Sequence, residues 1–304
     1  MNKKSSVLRT IRILTILAMI CSMITSAAAA GMVAPFTAES AEGKTAQALA
    51  DLLGIQLILT GDGTSDEAAN RMLAEPGVYL CDTQAAPIAG LQGYTDEDLR
   101  TAMVPVCLAA ESPLYIVMDV TKADEYGIRD AETMMSYIND HEYELTFARH
   151  TGADVTDRAV TLLSNEMAVL TDYFMPEEIP DVLRSGEADG AVMTGAALAD
   201  NRDGLIVLCC LGDHRSEAFP EVCCAQEIGL PVCRGEMLWL FTSVITDTGE
   251  AEGYARIAAE GNLQLPEGFE QRILTGDALL DDMTDLFADL KEYMTSEGLF
   301  FYEE

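Results

Sequence analysis

What most constrains this chain is an alternation that begins at Met32. Short β-rich apolar runs give way to small polar loops, and each loop opens a stretch with helical spacing. Met32 to Phe36 leads through such a loop into a helix starting near Glu42, with Ala46, Leu49, Ala50 and Leu53 recurring on one face. Gly54 stands where a left-handed residue most easily ends a helix. Ile55 to Leu59 is the next β-rich run. The turn Thr60-Gly61-Asp62-Gly63 follows, and Thr64-Ser65-Asp66 is set to cap a helix over Glu67 to Ala74. Pro76-Gly77 turns into a short strand, Val78 to Cys81. Strand, loop and helix in repetition form the pattern of an α/β fold.

The pattern recurs further on. Val104 to Ala109 and Leu114 to Met118 are apolar runs split by Glu111-Ser112-Pro113. Asp130 to Ile138 reads as a helix. Leu145 to Ala148 is a strand, and the loop His150-Thr151-Gly152-Ala153-Asp154 precedes a helix over Thr156 to Met167. The turn Gly186 to Asp189 enters a strand at Ala191-Val192. Leu205 to Leu211 and Leu238 to Ile245 are buried strands, and helices are expected over Ala251 to Ala259 and Ala278 to Tyr293. In α/β sheets, ligands sit beyond the carboxyl ends of strands. The free N–H groups and dipole of a helix start there favour an anion. The turns at 36–46 and 148–157 are two such places, one in each half, set to face each other across a cleft.

The first thirty residues do not belong to this pattern. Lys3, Lys4, Arg9 and Arg12 precede a short apolar run from Ile13 to Ile24, and Ser26-Ala27-Ala28-Ala29-Ala30 supplies small residues for cleavage. This reads as a cleaved secretory signal peptide rather than an anchor helix, because the run is too short to span a bilayer comfortably. A lipoprotein at Cys21 is disfavoured by the bulky Met19 and Ile20. The expected location is therefore the periplasm or the extracytoplasmic face of the membrane. The formal charge is −33 over 304 residues, and the remainder beyond that basic start is more acidic still. Nucleic acid and anionic membrane surfaces are excluded as partners held by bulk electrostatics. Cys81, Cys107, Cys209, Cys210, Cys223, Cys224 and Cys233 remain after Cys21. They show no C-x-x-C spacing, so small buried thiols are favoured over a metal site with His214. No metal or cofactor is expected.

From Gly204 the chain reads GLIVLCCLGDHRSEAFPEVCCAQEIGLP. Arg215, Pro220, Val222, Glu227 and Gly229 fall without a gap on a signature of the tripartite tricarboxylate transporter substrate-binding proteins, the TctC or Bug family, which this sequence resembles. Glu221 replaces an Asp of that pattern, and Cys223-Cys224 replace Pro-Thr. Pro35-Phe36-Thr37-Ala38 is similar to the family's first loop, Gly77 to Leu80 to a Gly-Tyr-Thr-Leu turn, Tyr173 to a loop tyrosine, and Gly186 with Asp189 to Gly-x-Val-Asp. The resemblance covers most of residues 33–245. It implies a two-lobed α/β periplasmic-binding-protein-like fold of type II, a Venus flytrap with a cleft between two sheet-containing domains. Lobe 1 is expected over 31–122 and 235–304, and lobe 2 over 123–234. The implied function is capture of a small organic solute, a carboxylate, for the membrane subunits of a tripartite secondary transporter, by a monomer.

Such proteins hold carboxylates through loop backbone amides, hydroxyls and bridging waters. The resemblance thus implies ligand contacts from Phe36, Thr37, Ala38, Glu39 and Ser40 in the first loop, from Thr151, Gly152, Ala153 and Asp154 in the second, and from Tyr173 at the wall. Glu39-Ser40 stand where the family has a glycine pair. An inward Glu39 would repel a second carboxylate, since two charges about 4 Å apart interact by about 4 kcal/mol at an effective dielectric near 20.

Three other readings compete. A solute sensor of the same fold would feed a membrane signalling partner instead. Ala38 to Thr45 has phosphate-loop spacing but lacks the first glycine, and it lies directly behind a signal peptide. For a hydrolase, the histidines are His141, His150 and His214, and no Gly-x-Ser-x-Gly elbow occurs. No catalytic residue is assigned.

Overall fold

The computed structural model describes residues 31–61, 65–83, 102–150, 154–243 and 248–298. The predicted signal peptide, the polar stretch Leu91 to Leu99, Asp62, Gly63 and the loop residues Thr151, Gly152 and Ala153 lie outside them.

The first part of the chain runs β1 (Met32–Ala34), α1 (Ala41–Leu53), β2 (Leu57–Leu59), α2 (Ser65–Ala74), β3 (Val78–Cys81) and β4 (Met103–Ser112). A middle part follows: β5 (Leu114–Asp119), α3 (Val120–Tyr126), α4 (Ala131–Asp140), β6 (Thr146–Arg149), α5 (Val155–Glu166), β7 (Leu170–Tyr173), α6 (Ile179–Ser185), β8 (Gly190–Thr194), α7 (Gly195–Asn201), β9 (Leu205–Cys210) and α8 (Ala225–Ile228). The chain ends with β10 (Glu236–Ser243), α9 (Thr248–Glu260), β11 (Glu270–Leu274) and α10 (Gly276–Glu297).

The strands form two sheets, in the orders β11-β4-β10-β3-β1-β2 and β7-β6-β8-β5-β9. β1, β2 and β3 are mutually parallel, as are β6, β7 and β8. Their crossover helices pack on the sheet faces, as short parallel connections require. Apolar side chains fill both faces of each sheet. Phe147, Ile116, Met134 and Leu163 meet in one cluster of the second sheet, and Trp239, Phe241, Leu286 and Leu290 in one cluster of the first. The α/β two-sheet architecture expected from the sequence is present.

The chain passes between the sheets at Pro113 and returns at Glu236. β5 belongs to the second sheet, not to the first as the expected division at 122 has it, because its backbone partners are β8 and β9. The register also shows where strand ends point. Glu236 pairs with Ser112 and Trp239 with Cys81, which puts the ends of β3 and β4 beside the start of β10. Leu114 pairs with Thr194 and Tyr115 with Cys210, which puts the ends of β8 and β9 beside the start of β5. The carboxyl ends of the parallel strands in both sheets therefore converge on the two crossings.

Contacts across this boundary are close. The amide of Gly195 donates to the carbonyl of Pro113 at 2.7 Å, and the amide of Ala196 donates to Ser112 Oγ at 2.9 Å. A Cβ at Gly268 would lie 2.4 Å from the Gly195 oxygen, and the φ of Gly268 is +89°. Only glycine allows this approach.

Candidate functional site

The first loop begins as β1 ends. Phe36 turns into the core of the first sheet beside Ala46 and Leu49, while Thr37, Ala38 and Glu39 are exposed. Ser40 is the N-cap of α1. Its Oγ accepts the Gly43 amide at 3.0 Å and donates to the Thr37 carbonyl at 3.1 Å, which folds the loop back on the helix start. Gly43 is required there, because a Cβ would sit 1.8 Å from the Thr37 oxygen. Thr45 is fully buried and its hydroxyl donates to the Ala41 carbonyl at 2.8 Å. A phosphate loop needs that hydroxyl and the helix-start amides free, so the spacing Ala38 to Thr45 gives no phosphate cradle.

The second loop follows β6, and its described members form a tight charged group. Asp154 is the N-cap of α5, accepting the Asp157 amide at 2.8 Å and the Thr156 hydroxyl at 2.7 Å. His150 Nε2 lies 2.9 Å from Asp154 Oδ2 and 2.7 Å from Thr156 Oγ1. His150 is only 7 % exposed. Burial works against its imidazolium form, yet the hydrogen bond and charge of Asp154 outweigh it, and His150 is raised above its ordinary value. Burial likewise pushes Asp154 up, but His150 and the helix-start donors hold it below the usual carboxylate range. When the ring is protonated, with Nε2 committed, Nδ1–H remains as its second donor. Next to it, Arg149 Nε donates to Asp157 Oδ1 at 2.5 Å, and Tyr293 of α10 donates to Asp157 Oδ2 at 2.6 Å.

This group forms one wall of a cavity of about 500 Å³ at the carboxyl ends of β6 and β8. Its other walls come from Pro176, Glu177 and Ile179, from Met193 and Thr194, and from Ala197, Asp200 and Asn201 on α7. The volume suits a small organic molecule. Facing the second sheet from the first is Glu236, whose Oε1 accepts the Thr83 amide at 2.7 Å. Burial drives Glu236 well up, and the negative charges of Asp82 and Asp154 add to the effect. A larger hollow of about 790 Å³ runs along the outer edge strand β9, lined by Arg129, Arg202, Arg215 and Cys223. It lies away from the parallel strands' converging ends.

Of the residues expected to touch ligand, Asp154 lines the cavity. Tyr173 does not. It is 55 % exposed on the edge strand β7, with the Arg149 guanidinium 5.3 Å from its ring centroid. His150, Thr156, Glu177, Thr194 and Asp200 were absent from the expected set. The signal for Thr194 was present, since Val192-Met193-Thr194-Gly195 is a third strand–turn–helix step, in which Thr194 Oγ1 accepts the Ala197 amide at 3.1 Å. Among the described residues, no cluster of His, Cys, Asp and Glu is arranged to hold a metal. Nor is any helix among them long and apolar enough to cross a membrane.

No protein-family model matches the chain, and no curated protein matches it. Solved structures do. A TctC solute-binding protein from Polaromonas, without ligand, superposes with a TM-score of 0.71 at 13 % identity, covering 88 % of this chain and 98 % of its own. A Rhodopseudomonas palustris protein solved with adipate gives 0.65 at 14 % identity, covering 89 % and 96 %. MatC from the same organism, with bound malate, gives 0.57 at 17 % identity, covering 88 % and 97 %. The two-lobed fold of this chain is that of the TctC and Bug-type periplasmic binding proteins, over nearly the whole of their length.

Proposed function

We propose that this chain is an extracytoplasmic solute-binding protein of the tripartite tricarboxylate transporter type. It captures a small organic carboxylate in a cavity of its second lobe, at the strand ends beside the crossings, and presents it to membrane subunits. The observation that carries the reading is the cavity at the carboxyl ends of β6 and β8, with His150 at its wall and its proton affinity raised by Asp154. The cavity lies where α/β folds place ligands, and the imidazolium supplies the opposite charge that a carboxylate needs. The fold supports the same reading, since two neighbours of this architecture were solved with adipate and malate.

The other walls narrow the ligand class. Glu177 and Asp200 also line the cavity. A second carboxylate on the ligand would face them, so one carboxylate with a neutral or cationic remainder is favoured over a dicarboxylate. Transfer to a transporter subunit then follows lobe closure about the crossings at Pro113 and before Glu236.

Thermal-shift screening against monocarboxylates, dicarboxylates, amino acids, amines and nucleotides tests the reading. A ligand at a hundredfold excess over its Kd adds about 2.7 kcal/mol of stability. The expected outcome is stabilisation by one group of small carboxylates. Stabilisation by Mg-ATP alone would sink the proposal.

A further inference from the structure

We propose that Cys209 and Cys223 form a dithiol that closes to a disulfide by exchange with a small disulfide. The backbone sets the pair. Cys210 and Cys224 are partners in a parallel bridge, and the Cys210 amide donates to the Cys223 carbonyl at 3.0 Å. Paired extended segments lie about 4.8 Å apart, inside the Cα separation of roughly 4.4–6.8 Å that a disulfide spans. Side chains alternate along each segment, so the residues one step back, Cys209 and Cys223, share the opposite face. The packing agrees, for Cys209 and Cys223 both meet the cluster around Leu208 and Ala225, whereas Cys210 sits in the cluster around Tyr115 and Phe219. The two sulfurs also touch neighbouring backbone, Cys209 Sγ at 3.3 Å from the Cys210 carbonyl oxygen and Cys223 Sγ at 3.9 Å from that of Leu208.

Access orders the chemistry. Cys209 is fully buried, while Cys223 is half-buried and lines the hollow along β9 beside Arg215. Cys223 loses its proton and attacks one sulfur of a small disulfide such as oxidised glutathione, expelling one thiolate. Cys209 then attacks the Cys223 sulfur and expels the second. Two protein thiols give up two electrons and two protons, and the small disulfide becomes two thiols. Burial raises both protein thiols, with the hydrogen bond from Cys209 opposing that rise at Cys223, so exchange accelerates with pH.

The bond would close the loop that carries Ser216. That hydroxyl accepts from Tyr115 of the second sheet at 2.5 Å and donates to Glu270 of the first at 2.5 Å. A thiol–disulfide step at Cys209 and Cys223 therefore acts at the root of the returning crossing.

Peptide mapping of the folded chain tests this. The chain is incubated with oxidised glutathione, its remaining thiols are alkylated, and trypsin then cuts after Arg202, Arg215 and Arg234. Cys209 and Cys223 fall in different peptides, 203–215 and 216–234. The expected result is a linked pair lighter by two hydrogens than the summed peptides, with fragmentation placing the bond at Cys209–Cys223. With Cys209→Ser, a glutathione adduct persists on Cys223; with Cys223→Ser, neither link nor adduct forms. A Cys210–Cys224 bond, a Cys209–Cys210 bond within one peptide, or a stable adduct on Cys223 in the unaltered chain would each overturn the proposal. The unaltered chain decides the matter even where a serine variant fails to fold.

Discussion

At the scale of single residues, the account rests on His150 and Asp154. The folded value of His150 is raised, so its share of stability is complete below its ordinary value of about 6.5 and is lost as pH rises through the raised one. The folded value of Asp154 is lowered, so its share is present above its ordinary value of about 3.9 and is lost as pH falls through the lowered one. Between those limits, His150→Ala should cost about 1–3 kcal/mol in urea denaturation. The gap to the unaltered chain should close as pH rises past the folded His150 value; a gap that is flat with pH would show that the pair carries no charge. Gly43 makes a second prediction. Because the Thr37 oxygen occupies the place of a Cβ, Gly43→Ala should destabilise by about 1–3 kcal/mol, although alanine is the better helix former. Equal or higher stability of that variant would mean that the loop does not fold back on α1.

At the scale of elements, the chain's signature residues turn out to be a local brace. Arg215 Nε donates to both oxygens of Glu227 at 3.0 Å, and its Nη1 donates to the Pro220 carbonyl at 3.1 Å. Glu227 Oε2 accepts the Cys224 amide at 3.1 Å, and Gly229 ends α8 in the left-handed region at φ +74°. The motif that gives away the fold thus touches no cavity at the strand ends. Asp189 behaves the same way, accepting the Tyr126 hydroxyl at 3.0 Å and the Thr146 amide at 2.9 Å. α10 is one element that ties the lobes together. It packs on the first sheet through Leu286 and Leu290, while its Tyr293 reaches Asp157 and its Glu297 reaches Arg149 at 3.3 Å. Tyr293→Phe removes one donor from a buried carboxylate and should cost about 1–3 kcal/mol, read as a lower denaturation midpoint; an unchanged midpoint would remove α10 from the lobe boundary. Most elements were legible in the sequence because caps and periods announce them, as Asp130, Asp154, Gly54 and Gly186 do. α3, β7, α7, α8 and β11 were not. Each is short, and its place is set by partners distant in sequence, as β7 is by β6.

At the scale of the whole molecule, the sheets were foreseeable and the crossing point was not. β4 and β5 are equally apolar, so periodicity cannot divide them; only strand pairing assigns β5 to the second sheet. The site was half legible for the same reason. Local sequence marks the loop after β6, but the cavity wall also draws on α6, β8 and α7, which only the tertiary fold brings to Asp154, and the loop after β1 lends it no residue. If the lobes close on a ligand about the two crossings, small-angle scattering should show a smaller radius of gyration with ligand than without; an unchanged radius would leave a site confined to one lobe. The central claim, that His150 as a cation holds the ligand's carboxylate, is tested most directly by calorimetric titration of the carboxylate found in the screen, across pH, with the unaltered chain and with His150→Gln. The account predicts one-to-one binding that weakens as pH rises through the folded His150 value, and a Kd for the variant that is higher by about tenfold or more, equivalent to 1.4 kcal/mol, and indifferent to that range of pH. Affinity that is unchanged by the substitution and flat with pH in both proteins would contradict it.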